Sequence, residues 1–241
     1  TRDGIIDGLA NNNNRIIWDK ASLATQVVGQ YCSLWRANGV PAQGAIPAAA
    51  AYCTKALTGA IGFDNQTGPA TSYLGYHTLL CSAANANLEI HDRLAHMGGL
   101  NGTLLTAQTV GIDLSTINAG GSVPAGRLGD ANYSDVMWFL EWYTTTGATA
   151  SNATVNVTYD DGTTGNLAVI AIGGTAIAAS QCRQLVPAVN GRFIRGVNSV
   201  TLSASTGTAG SFGVTATRQR AAMSVPIANK VEVFDWAQLG F

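Results

Sequence analysis

The clearest pattern of hydrophobic and polar positions lies in the second half of the chain, between residues 154 and 172. Apolar and polar side chains alternate over residues 154–159, and a mostly apolar run follows over residues 166–172. Residues 160–165, which separate the two runs, are Asp, Gly and Thr, and such residues favour tight turns. This pattern predicts a β-hairpin.

Residues 135–146 form the most apolar candidate strand. They combine aromatic and β-branched side chains and end in a run of threonines, a composition typical of strands. Trp138 and Trp142 lie four residues apart, so a strand would direct both rings to the same face. We expect a well-buried central strand with both rings in the core or in an interface.

More strands are indicated toward the C-terminus. Residues 199–203 and 211–217 alternate on either side of the Gly-rich segment 206–210, which favours a second hairpin, and residues 230–234 predict a last strand. Short, regularly spaced strands with Gly-rich turns indicate a mainly β protein. We expect an antiparallel β-sandwich, jelly-roll-like in architecture, with an irregular N-terminal region and a short N-terminal helix or arm.

The N-terminal part has a more mixed pattern. Ile5, Ile6 and Leu9 fall at helical spacing just before a run of asparagines. A helix this short is marginal alone, so we expect an arm that packs its apolar side on its own domain or on a neighbouring chain. Gly and Pro interrupt the apolar residues between positions 15 and 63, which predicts irregular structure, and the alanine run at 48–51, preceded by proline, favours a short helix.

A Gly-rich segment at 119–124 is the best candidate for a domain boundary. It divides the chain into residues 1–120, with the arm and a mixed irregular and β region, and residues 121–241, a β-rich sandwich region. One continuous domain is the alternative, because this length suits one large all-β domain as well as two smaller ones. The apolar ending at Phe241 indicates either a docked end or a chain that continues.

The charge content narrows the function classes. The 241 residues carry 13 Lys and Arg against 14 Asp and Glu, and only 11% are charged, against about 25% in an average soluble protein. This balance disfavours binding to a phosphate backbone, and no apolar run approaches the ~20 residues of a membrane-spanning helix. We therefore expect no sequence-specific nucleic acid and no membrane as partners. Few charges suit a surface that neighbouring subunits cover.

Candidate chemistry is sparse. No nucleophile elbow, phosphate loop or dinucleotide motif is present, and the spacing of His91 and His96 does not suit a metal site. Asp161 precedes a glycine in the predicted turn, so a turn is favoured over a calcium loop. The four cysteines are scattered, which favours buried thiols. We expect no enzyme activity, no cofactor and no metal, although the acidic residues leave a glycosidase open.

Two short groups of arginines remain. Arg192 and Arg195 form one, and Arg218 and Arg220 form the other. Such arginines are expected to be solvated or to pair with carboxylates at subunit contacts, where arginine is enriched. The residues predicted to make assembly contacts are Ile5, Ile6, Leu9, Arg218, Arg220 and Phe241.

Turn and strand motifs extend over most of the chain. They read VNVTYDDGTTGN at 155–166, GVNSVTLSASTGTAGSFGVT at 196–215, SLWRANGVPAQG at 33–44, HDRL at 91–94 and VFDWAQLG at 233–240. These segments resemble a poorly characterised family of virion structural proteins of tailed bacteriophages. None of the motifs is catalytic.

The resemblance implies a virion component of the head, assembled in the bacterial host cytoplasm. The leading hypothesis is a capsid decoration, or cement, protein on the capsid exterior, with the major capsid protein and copies of itself, as a trimer, as partners. A tail or vertex component and a receptor- or glycan-binding β-sandwich are the alternatives, and a polysaccharide hydrolase ranks last. Members of the family continue past the equivalent of Phe241, which implies a truncated chain here.

Overall fold

The computed structural model describes residues 16–21, 27–62, 76–116 and 123–235. The described strands, in chain order, are β1 (Asp19–Lys20), β2 (Gly39–Val40), β3 (Ala51–Tyr52), β4 (Tyr76–Leu80), β5 (Ala86–Leu100), β6 (Gln108–Asp113), β7 (Val136–Thr144), β8 (Ser151–Tyr159), β9 (Thr164–Asn166), β10 (Ile170–Ile172), β11 (Cys182–Leu185), β12 (Ile194–Leu202), β13 (Ser211–Val225) and β14 (Val231–Asp235). A 3-10 turn covers Leu34–Arg36, and a short helix, α1, covers Ala125–Leu128.

The strands form two five-stranded antiparallel sheets. Sheet I has the order β11–β7–β13–β5–β3, and sheet II has the order β10–β8–β12–β6, with β9 also paired to β8. Two small sheets, β1–β2 and β4–β14, complete the architecture. The predicted class, mainly β with antiparallel sheets and consistent with a β-sandwich, is confirmed. No helix in these described ranges is long and apolar enough to cross a membrane.

The core lies between the two large sheets. Alternate residues of β7 point into it, including Trp138, Leu140 and Trp142, and Val155 and Val157 of β8 belong to the same core. The Trp142 ring stacks on a phenylalanine of β13 with the ring centroids 5.4 Å apart. The predicted central strand and the burial of its two tryptophans are confirmed, because period-two alternation places these residues on one face.

The first predicted hairpin is confirmed in its first strand and turn, whereas the predicted second strand at 166–172 is divided between β9 and β10. β8 pairs with β9 in antiparallel register. Gly162 has a φ of +84° in the turn, a conformation that glycine adopts without strain. The carboxylate of Asp161 accepts a hydrogen bond from the backbone N–H of Thr163 at 2.9 Å, so this acid stabilises the turn.

The second predicted hairpin is wrong. β12 lies in sheet II between β8 and β6, whereas β13 lies in sheet I between β7 and β5. The residues between β12 and β13 cross from one sheet to the other, and Thr206 is held there by a hydrogen bond from its N–H to the carbonyl of Gly102 at 2.8 Å. Alternation identified both strands, but it does not specify their partners.

The N-terminal region is irregular, as predicted, but the expected helix at 48–51 is absent. The residues bend into β3, which begins at Ala51 and pairs with His96 of β5. A Cβ atom at Gly98 would lie 2.6 Å from the carbonyl oxygen of Pro47, so this segment lies directly against sheet I. Backbone pairing with the sheet replaces the helical hydrogen bonds that alanine alone would favour.

The boundary near residue 120 does not separate the sheets. β5 pairs with β13 in sheet I, and β6 pairs with β12 in sheet II, so both sheets join strands from before and after that position. This pairing agrees with the alternative of one continuous domain. The predicted N-terminal arm and the chain end at Phe241 lie outside the described residues.

β5 and β13 are each 15 residues long and extend beyond the rest of sheet I. Their far ends pair only with each other, and the β4–β14 ribbon packs on them. The contact is a small second cluster whose buried members are Leu79, Ala221, Met223 and Val225. The molecule therefore has a large sandwich core and a minor layer at its edge.

Candidate functional site

A buried ion pair lies on the outer face of sheet I, beneath residues 27–62, which we call the cover segment. Nη2 of Arg93 lies 2.7 Å from each carboxylate oxygen of Glu141. Nη1 of Arg93 donates to the hydroxyl of Thr215 at 3.1 Å, and the guanidinium lies 4.5 Å from the ring centroid of Trp35 in the cover segment. Charged, stacked and hydrogen-bonded contacts thus connect β5, β7, β13 and the cover segment at this point.

The two charges hold each other ionised. Burial alone would raise the pKa of Glu141, but Arg93 and hydrogen bonds from Thr215 and Ser33 hold it below its ordinary value. Burial opposes the charge of Arg93 as well, and Glu141 overcomes it, so its pKa is raised. Neither group is available as an acid or base. The pair joins β5 to β7 and holds the cover segment through Trp35 and Ser33.

A second clamp lies beside the first. Arg127 of α1 binds the carboxylate of Asp92, with Nη2 2.6 Å from Oδ1, and its Nη1 donates to the carbonyl of Cys53 at 2.6 Å. Lys20 donates to the carbonyl oxygens of Ala37 and Pro41 at 3.1 and 2.6 Å. These contacts attach the cover segment through backbone carbonyls, in addition to the side-chain contacts of Trp35 and Ser33.

The histidines occupy structural positions. His91 bonds through Nε2 to Glu89 at 2.8 Å and through Nδ1 to Thr217 at 2.9 Å. His96 is buried with Nδ1 3.3 Å from Arg93, and burial, reinforced by that positive charge, lowers its pKa to about 4. Burial also lowers the pKa of His77. His91 and His96 thus have hydrogen-bond partners within sheet I.

An open, mostly apolar depression of about 360 Å³ lies between the cover segment and His96. Trp35, Leu57 and a row of alanines line it, and no carboxylate or thiol is among its lining residues. No group of three or more potential metal ligands occurs within the four described ranges. The depression therefore offers the imidazole of His96 but no carboxylate or thiol.

Most acidic side chains in the described residues lie in ion pairs with basic ones. The exposed or half-exposed pairs are Asp92–Arg127, Asp113–Arg195, Asp135–Arg218, Asp161–Arg192, Glu89–His91 and Glu232–Lys230. Arg192 and Arg195 thus bind carboxylates of their own chain. From the sequence, such arginines are expected to be solvated or to bind carboxylates at subunit contacts. A glycosidase needs two carboxylates that face one substrate, and this pattern directs acids toward bases.

The structure describes two of the six predicted contact residues. Arg218 lies on β13 with Nη2 3.0 Å from Asp135, and Arg220 lies exposed two residues further along the same strand. Arg220 therefore lies on the extension that carries the second cluster, whereas Arg218 pairs with Val136 of β7 within sheet I. The other four, Ile5, Ile6, Leu9 and Phe241, lie outside the described residues.

Aromatic side chains give little support to a glycan platform. Trp138 and Trp142 are buried in the core, and Trp35 is half-buried against Arg93. The large exposed aromatic residues in the described ranges are Tyr31 and Tyr76, which belong to different elements. The cysteines carry free thiols, and burial raises the pKa of Cys53 to about 12.

The outer face of the β4–β14 ribbon is the surface that the sequence pattern missed. Leu79 and Phe234 point toward the second cluster, and the alternate residues point outward. The outward apolar residues, each 54–63% exposed, are Tyr76, Leu80, Val231 and Val233. β-pairing aligns Leu80 with Val231, so these side chains are contiguous. The sequence signal that could have indicated this surface is the presence of apolar side chains on both faces of a short strand.

Comparison of the chain with protein-family models, with curated proteins and with solved structures found no significant match. The resemblance to tailed-phage virion proteins stays a prediction.

Proposed function

We propose that this protein is a structural component of a tailed-bacteriophage virion, most specifically a capsid decoration protein on the outside of the head. The observation that carries the proposal is the outer face of the β4–β14 ribbon, where four large apolar side chains lie more than half exposed next to one another. Exposed apolar patches of this kind mark sites of protein association. The major capsid protein and other copies of this chain are the proposed partners.

The charge distribution supports an assembly role. Only 11% of residues are charged, and many of the described charges are used in ion pairs within the chain. Interface cores are depleted in charge, so a protein in contact with several neighbours tolerates this composition. The same internal pairing gives no support to a hydrolase, which needs free carboxylates.

In this proposal the protein stabilises the capsid shell by binding to it. The sandwich, closed on one side by the clamped cover segment, supplies a rigid body, and the exposed faces supply binding energy. A modest free energy per contact becomes large when many copies bind one shell, because each copy must detach for the shell to open. No bond is made or broken, and no cofactor or metal is required.

The alternatives rest on fewer observations. A receptor- or glycan-binding module would need a platform of exposed rings, and the two exposed tyrosines of the described residues are not adjacent in the fold. A tail or vertex component would use the same apolar faces as a decoration protein. The location of the protein in the virion distinguishes these two functions.

The test is a binding assay with phage capsids that lack the protein. Purified protein is incubated with the capsids, the capsids are sedimented, and their survival of heating is measured with and without it. We expect saturable, stoichiometric binding and an increased thermal survival. Protein that stays in the supernatant, with no change in capsid survival, would contradict the proposal.

A further inference from the structure

The β4–β14 ribbon is a two-stranded sheet with apolar side chains on both faces. One face is covered, because Leu79 and Phe234 pack on the extension of β5 and β13. The other face presents Tyr76, Leu80 and Val233 to solvent. A two-stranded sheet is marginal in water unless a second layer packs on it. Within the described residues, one such layer packs on this ribbon and no second layer covers its other face.

The small number of charged residues on the uncovered face indicates which kind of surface fits it. Thr78 is the polar residue at its centre, and Asp235 lies at one end, paired with Tyr76. Glu232 alternates to the inward side. A charged partner would lose hydration without gaining an opposite charge over most of this face. The face therefore fits another apolar and nearly uncharged sheet.

We propose that the outer face of the β4–β14 ribbon is a contact between two copies of this chain, packed face to face about a two-fold axis. The same face on a second copy has the required properties, because it is apolar and nearly uncharged.

The size of the face agrees with a specific but moderate contact. Its exposed apolar side chains present roughly a few hundred Å² per copy, the scale of patches that mark association sites. With flanking residues such as Ile227, which is also exposed, two copies approach the total of about 1,000 Å² that a specific interface requires. We therefore expect association in the micromolar range of protein concentration rather than a permanent dimer.

This inference deepens the proposed function by naming one contact between copies, but its test needs no capsid. A two-fold contact is also compatible with three-fold contacts elsewhere on the chain, since it would join two trimers.

The experiment is sedimentation velocity on the full chain over a concentration series. The test variant is Leu80→Lys with Val233→Lys, and the matched control is Val169→Lys with Val186→Lys, at two positions that are as exposed but lie elsewhere. We expect the test variant to have half the assembled mass of the wild type, while the control keeps the wild-type mass. Thermal unfolding of both variants checks that they fold.

Equal masses for the wild type and the test variant would overturn the inference. A test variant that keeps its mass but no longer binds capsids would also overturn it and would assign the face to the capsid. Halved mass with no capsid binding by any form would support the contact and contradict the proposed function.

A cross-linking measurement tests the contact itself. Thr78 pairs with Val233 at the centre of the face, so a two-fold axis through that centre brings it near its own copy. We expect Thr78→Cys to give a linked dimer when oxidised with diamide, and the wild type and Val169→Cys to give none. Equal linking of all three forms would overturn the proposed contact.

Discussion

The sandwich and the β4–β14 ribbon differ in how completely each covers its apolar side chains. Sheets I and II enclose a core between them, and the cover segment closes the outer face of sheet I over the Arg93–Glu141 pair. The ribbon rests on a cluster of four buried residues and leaves its other face in water. The sandwich is therefore stabilised by its own contacts, whereas the ribbon is where a partner adds the most burial.

The largest effect is expected at the clamp of the cover segment. Glu141→Ala leaves the buried Arg93 without its counter-ion, so we expect the free energy of unfolding in urea to fall by about 3–5 kcal/mol. The control is Asp135→Ala, which removes the partner of Arg218 in a pair with exposed atoms and should cost at most about 1 kcal/mol. Similar losses in the two variants would show that the cover segment is not fastened by this pair.

Truncation of one leucine in each region compares the two cores directly. Leu140→Ala in the sandwich should lower the global free energy of unfolding by about 2–5 kcal/mol. Leu79→Ala in the ribbon should change the global value little and accelerate amide hydrogen exchange only in β4 and β14, because the ribbon opens without the sandwich. Hydrogen exchange read by mass spectrometry separates the two cases. A global loss from Leu79→Ala equal to that from Leu140→Ala would contradict the distinction.

Acid should lower the free energy of unfolding of the sandwich, because His96 is buried in it in the neutral form. Its pKa is about 4 in the folded protein and 6.5 in its ordinary state, so below pH 6.5 the unfolded chain binds a proton that the folded chain excludes. Stability is complete above pH 6.5 and falls by about 3 kcal/mol as the pH decreases to 4. Glu141 has a lowered pKa, so its own contribution is lost only below its ordinary pKa of 4.5.

The measurement is urea unfolding at a series of pH values between 7 and 4. His96→Gln should flatten the decrease in that window, because glutamine does not titrate. The pKa of His77 is also lowered by burial. His77→Gln serves as the control, because it should flatten the decrease in stability less than His96→Gln does. A decrease that is unchanged in His96→Gln would exclude His96 as its source.

The smallest effect is expected on the exposed face of the ribbon. Val233→Thr keeps the β-branched shape and removes apolar surface that the monomer does not bury, so the free energy of unfolding should change by no more than about 0.5 kcal/mol. Thermal unfolding at low protein concentration measures it. A loss of 2 kcal/mol or more would show that this face packs within the chain.

Local patterns in the sequence predicted local structure. The hairpin from β8 to β9 followed from a turn sequence between an alternating run and a mostly apolar run, and the burial of Trp138 and Trp142 followed from their spacing. The pairing of strands was not predictable from local patterns. The segments at 199–203 and 211–217 have the pattern of one hairpin, but they belong to different sheets. Strand periodicity fixes a face and leaves the neighbouring strand open.

The candidate site was less predictable than the fold. Arg93 and Glu141 are 48 positions apart in the sequence and form no motif, so only sheet pairing brings them together. The ribbon surface depends on β4, a five-residue strand that carries apolar side chains on both faces. Composition did indicate a protein covered by neighbours, but it did not indicate which surface they contact.

The most direct test of the account is cryo-electron microscopy of phage heads with and without the protein. We expect added density at regular positions on the outer surface of the shell, of a size that accommodates the β-sandwich, in the sample that contains it. Heads that are identical in the two samples, or density confined to the tail, would contradict a role as a capsid decoration protein.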